Sequence, residues 1–111
     1  MSTRAHIRIY DSGGCIQLYH HCDGYPEGIG KDLKSICEKI FDDPEYGTRD
    51  LIQNKLGLND DSYAPATCIH GDEEYVYVID CRDKTVKCFT HGWDESFEQC
   101  FRAEREVIIP D

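Results

Sequence analysis

Residues 20–41, HHCDGYPEGIGKDLKSICEKIF, decide the architecture, because turn chemistry in the first half gives way to helical periodicity in the second. Asp23-Gly24 and Pro26 bias the backbone toward turn geometry, and Gly28 and Gly30 permit positive φ or a close backbone approach. From Lys31 onward, Leu33, Ile36, Cys37, Ile40 and Phe41 fall at i, i+3, i+4, i+7 and i+8, one stripe of a helix facing a core. Pro44 ends that helix.

Upstream, residues 4–10 alternate, with Ala5, Ile7 and Ile9 on one face and His6, Arg8 and Tyr10 on the other, the pattern of a half-buried strand. Asp11-Ser12-Gly13-Gly14 then leads into Cys15–His20, which predicts a hairpin whose second strand delivers the chain into the Asp23-Gly24 loop. Downstream, a weaker helical pattern runs from about Thr48 through Leu51, Ile52 and Leu56 to Gly57, and residues 59–65 read as loop. Thr67–Ile69 is a short strand candidate. Tyr75-Val76-Tyr77-Val78-Ile79 is apolar on both faces and so reads as a central strand, and Arg82-Asp83-Lys84 turns it into Thr85–Phe89. Ser96–Phe101 suits a short helical turn and Val107–Ile109 an edge strand. The order predicts an α+β fold, a mostly antiparallel sheet of about five strands packed by one or two helices. At 111 residues the whole chain, 1–111, is expected to form a single domain.

Twelve basic against twenty-two acidic residues leave a formal net charge of -10, which opposes direct binding to nucleic-acid phosphates or anionic lipid. Residues 1–41 carry five acids and five bases, so the whole excess falls in residues 42–111. No apolar run approaches a membrane span, and Met1–His6 lacks a signal-peptide core, which predicts a cytoplasmic protein. The seven cysteines form an odd set without a C-x-x-C pair, consistent with thiols in a reducing compartment rather than a disulfide framework.

The segment His21, Asp23 to Gly28 and Gly30 resembles an H-W-D-G-Y-P-E-G-V-G sequence found in small proteins of bacteria and their phages, with Cys22 standing where those proteins carry Trp. The resemblance covers about eleven residues and extends toward the Asp43-Pro44-Glu45 end of the helix. It implies a shared fold and brings no activity with it.

Several side chains carry possible chemistry. His20, His21, Cys22, Asp23 and Glu27 suit a metal or proton-transfer site by type, but adjacent His20 and His21 point to opposite faces of a strand, which favours a structural loop with Asp23 capping the turn and one His hydrogen-bonded. Tyr25 and Pro26 are expected to cover a core edge. Cys68-x-His70-x-Asp72 places three ligand types on alternate positions, with His91 within reach through the later hairpin, yet it lacks the paired knuckles of structural zinc. Cys37 reads as a small buried hydrophobe. Gly28–Lys31 lacks a phosphate-loop pattern.

The expectation is therefore a small acidic protein–protein interaction module without cofactor or metal. Its interaction residues are Asp23, Tyr25, Glu27, Asp60, Asp61, Glu73 and Glu74, and its partner is a basic protein surface. With the phage-like segment, the specific version is a mobile-element inhibitor of a host nucleic-acid-processing machine. The alternative is a metal- or thiol-dependent enzyme centred on the His20–Gly30 loop.

Overall fold

A computed structural model describes residues 3–11, 14–42, 52, 54–56, 63–65, 74–92 and 102–110. Six strands, β1 (Ala5–Asp11), β2 (Gly14–His20), β3 (Tyr63–Pro65), β4 (Tyr75–Asp80), β5 (Thr85–Gly92) and β6 (Arg102–Val107), form one sheet in the order β3-β2-β1-β4-β5-β6. One helix, α1 (Lys31–Asp42), is complete within the described residues. The architecture is α+β, as the residue patterns predict. The sheet is mixed, however: β1 and β4 run parallel at its centre, and every other pair is antiparallel. A parallel pair needs a long crossover, and the loop and α1 lie within the chain that supplies it.

The register explains the core. Leu18, Ile7, Tyr77, Cys88 and Val107 stand opposite one another in a single row across β2, β1, β4, β5 and β6. Ile16, Ile9, Ile79 and Val86 form the next row on that face. Leu33, Cys37, Ile40 and Phe41 of α1 join these rows in one buried cluster, so the helical stripe covers this face. Ile36 is only partly buried at its margin. Ile52 and Leu56 also lie in the cluster, and Ile52 and residues 54–56 are helical, which agrees with the second helical pattern where it is described.

The opposite face is not simply solvated. His6, Tyr19 and Val76 are buried there, and the His6 Nε2–H donates to Gln17 Oε1 across the β1–β2 pair at 2.9 Å. A half-buried β1 is therefore a fully buried one at its first residues.

Two strand assignments need correction. Tyr63–Pro65, expected within a loop, adds as β3 to the free side of β2, where the Tyr63 ring meets the buried His20 ring at a centroid distance of 4.4 Å. Three residues ending at a proline carry no periodicity, so nothing local marks this strand in the sequence. The last strand is Arg102–Val107, rather than Val107–Ile109. Val107 pairs with Cys88, Ile108 turns out to solvent and Ile109 turns into the core. The candidates Thr67–Ile69 and Ser96–Phe101 lie outside the described residues.

Candidate functional site

The His20–Gly30 loop closes the end of the sheet at which β1 and β4 begin. Several of its backbone groups bond within the fold. Gly24 N–H donates to Thr3 O at 2.9 Å, Ile29 N–H to Asp23 O at 2.9 Å and Gly28 N–H to Tyr25 O at 2.9 Å. The His20 ring, buried against Tyr63, donates from Nδ1 to the Cys22 carbonyl. The buried Tyr77 hydroxyl reaches from β4 to donate to Gly24 O at 2.7 Å. Burial is the main cause that raises the Tyr77 phenol, and it pushes the neighbouring Cys88 thiol up to about 11.

Two glycines are required here by space. A Cβ on Gly24 would sit 2.9 Å from the Ala5 Cβ, the Arg4 carbonyl carbon and the Thr3 oxygen. A Cβ on Gly28 would overlap the Asp23 carbonyl oxygen, the acceptor for Ile29. Asp23 itself holds φ 53°, in the left-handed region that Asp tolerates better than most residues. Its role differs from the side-chain cap expected of it: the backbone carbonyl closes the turn, and the carboxylate is left outside, accepting from the Tyr25 hydroxyl at 3.4 Å.

The two adjacent histidines are divided as the strand geometry predicts. His20 points inward, while His21 is exposed with its ring edge-on to Tyr19 at 4.7 Å. Pro26 is buried, but Tyr25 is 38% exposed rather than covering a core edge. Asp23 and Glu27 are exposed beside it, and the Asp23 carboxylate is the main cause that raises the Tyr25 phenol.

Glu74 belongs to the same end of the sheet. Its N–H donates to Arg4 O at 2.9 Å, next to the Thr3 oxygen that accepts from Gly24, and its side chain is exposed. Four of the seven predicted interaction residues, Asp23, Tyr25, Glu27 and Glu74, are thus gathered at one end although half the chain separates them. Asp60, Asp61 and Glu73 lie outside the described residues, as do Cys68, His70 and Asp72. Among the described residues no three His, Cys, Asp or Glu side chains group as a metal site. Cys22 is half-buried, and Cys37 is fully buried with its thiol pushed up to about 12 by burial. No helix of the described residues is long and apolar enough to cross a membrane.

Sequence reasoning missed Tyr77 as the residue that holds the loop. A signal existed: a tyrosine in a strand apolar on both faces needs a buried partner for its hydroxyl. No family model, no curated protein and no solved structure matches the chain.

Proposed function

We propose that the chain is a small acidic cytoplasmic module that docks on a basic protein surface through the sheet end carrying Asp23, Tyr25, Glu27 and Glu74. The observation that carries this reading is the division of labour in the loop. The Gly24, Gly28 and Ile29 amides and the Asp23, Gly24 and Tyr25 carbonyls are bonded within the fold, and the groups left outward are the Asp23 and Glu27 carboxylates, the Tyr25 phenol and the His21 ring. Preorganised charge of one sign steers encounter with the opposite sign and costs little ordering on binding. The net charge of -10 extends the field and opposes direct contact with nucleic acid.

The resemblance of the loop to a segment of small bacterial and phage proteins supports a specific version, in which a mobile-element protein inhibits a host nucleic-acid-processing machine. Carboxylates would take the places of phosphates on that machine's basic surface. Capture from the native host at low and at physiological salt tests the reading. The captured partner should be basic, and binding should weaken as salt screens charges over roughly 8–10 Å. Glu27→Lys with Glu74→Lys should slow association more than it speeds dissociation. Asp23→Asn is the suitable change at Asp23, since Asn also tolerates the left-handed backbone. A partner whose binding ignores both salt and these changes would refute the acidic-surface reading.

A further inference from the structure

Two large apolar side chains, Tyr25 at 38% and Ile108 at 89%, are exposed among the described residues. One such residue alone would need no explanation. These two stand on segments that touch. Ile109 turns inward from the end of β6, and a Cβ on Gly30 would meet its Cγ2 at 3.4 Å and the Tyr77 hydroxyl at 3.1 Å. Ile109 therefore lies against Gly30, the last residue of the turn that follows Tyr25, and Ile108 is its outward-facing neighbour in sequence. Both segments carry exposed carboxylates: Asp23 and Glu27 on the loop, and Glu106 two residues before Ile108.

We propose that Tyr25 and Ile108 are the apolar anchors of the docking surface, and that the occupant is a basic protein segment presenting an aliphatic side chain between lysines or arginines. This rests on the acidic-surface reading and adds what that reading lacks, a reason for selectivity. Carboxylates attract any basic surface, whereas desolvated aromatic and aliphatic anchors inside a charged rim discriminate between them. A guanidinium held by the neighbouring carboxylates would lie beside the Tyr25 ring, where a cation–π contact adds to its binding. Charge complementarity fixes the sign of the partner, and the two apolar side chains fix what lies at the centre of its contact.

The test is a residue-resolved NMR titration of the full chain with two short peptides of identical charge. Both are arginine- and lysine-rich, one with a central leucine and one with serine in its place. The leucine peptide should shift the amides of residues 23–30 and 106–110 together. It should bind about tenfold tighter than the serine peptide, the scale set by burying one leucine side chain. Tyr25→Ser and Ile108→Ser, both at exposed positions, should each erase that preference while melting as the parent does. If the peptides bind equally and respond only to Glu27→Lys and Glu74→Lys, the anchors are wrong and the acidic surface stands. If neither peptide binds, both proposals fall. If the same amides shift with protein concentration alone, the occupant is a second copy of the chain and the basic partner is overturned.

Discussion

The Tyr77 hydroxyl donates to the Gly24 carbonyl at 2.7 Å across 53 residues of sequence, tying a central strand to the loop at the end of the sheet. Both groups are buried, so removing the donor leaves an acceptor without water to replace it. Tyr77→Phe should therefore destabilise the fold by about 1–3 kcal/mol in urea titration. Gly24→Ala should cost at least as much, because two of the three atoms its Cβ would meet at 2.9 Å belong to backbone. A Tyr77→Phe protein as stable as the parent would show that the loop is held by something else.

The helical stripe makes a graded prediction. Leu33 is fully buried and Ile36 sits at the margin of the cluster. Leu33→Ala should cost roughly 2–5 kcal/mol and Ile36→Ala clearly less, since a half-buried side chain loses less transfer energy and leaves no closed cavity. Equal losses in denaturant unfolding would mean that the helix is rotated about its axis relative to the sheet.

That helix was legible in the sequence because its five apolar positions repeat at helical spacing and α1 observes them over Lys31–Asp42. The two hairpins were legible because strand-forming runs, alternating in residues 4–10 and apolar on both faces in Tyr75–Ile79, lead into turn residues. What the sequence hid was non-local. The parallel pairing of β1 with β4 leaves no mark on either strand, since Ile7 faces Tyr77 only after the crossover is made. Apolar character misplaced β6 because Val107-Ile108-Ile109 looks like one strand, although its members pair with Cys88, face solvent and enter the core in turn. In the loop, the residue types identified a constrained turn, but only the approach of Thr3 and Arg4 shows why Gly24 must lack a side chain.

The β4–β5 turn stores strain that can be relieved. Lys84 holds φ 59°, where a side chain costs roughly 1 kcal/mol that glycine does not incur. Lys84→Gly should raise stability by about 0.5 kcal/mol, the residue of that gain after glycine's extra unfolded-state entropy. The change leaves Asp80 free to keep its bonds from the Arg82 backbone N–H at 2.9 Å and from the Arg82 guanidinium at 3.0 and 3.1 Å. A loss of stability on thermal melting would show that Lys84 makes a contact worth more than the backbone strain.

Alkaline stability tests the buried row. Burial raises the Cys37 thiol from 9.0 to about 12 and the Cys88 thiol from 9.0 to about 11, and it raises the Tyr77 phenol from 10.0 as well. All three groups are neutral when protonated, so the unfolded chain releases these protons first as pH rises. The thiols' contribution is complete below pH 9 and is lost progressively between pH 9 and 12, and that of the Tyr77 phenol is lost as pH rises past 10. Each group adds up to about 1.4 kcal/mol per pH unit to the slope while it is ionised only in the unfolded chain. Urea midpoints at pH 8, 10 and 11 should therefore fall steeply for the parent. They should fall less steeply for Cys37→Ala with Cys88→Ala, although that variant starts from lower stability because two core thiols are gone. In the folded parent at pH 8, a thiol reagent should modify the exposed Cys15 rapidly and leave Cys37 and Cys88 untouched until denaturant is added. Identical pH slopes for parent and double variant, or rapid labelling of Cys37 in the folded chain, would place these thiols outside the core row that joins α1 to the sheet.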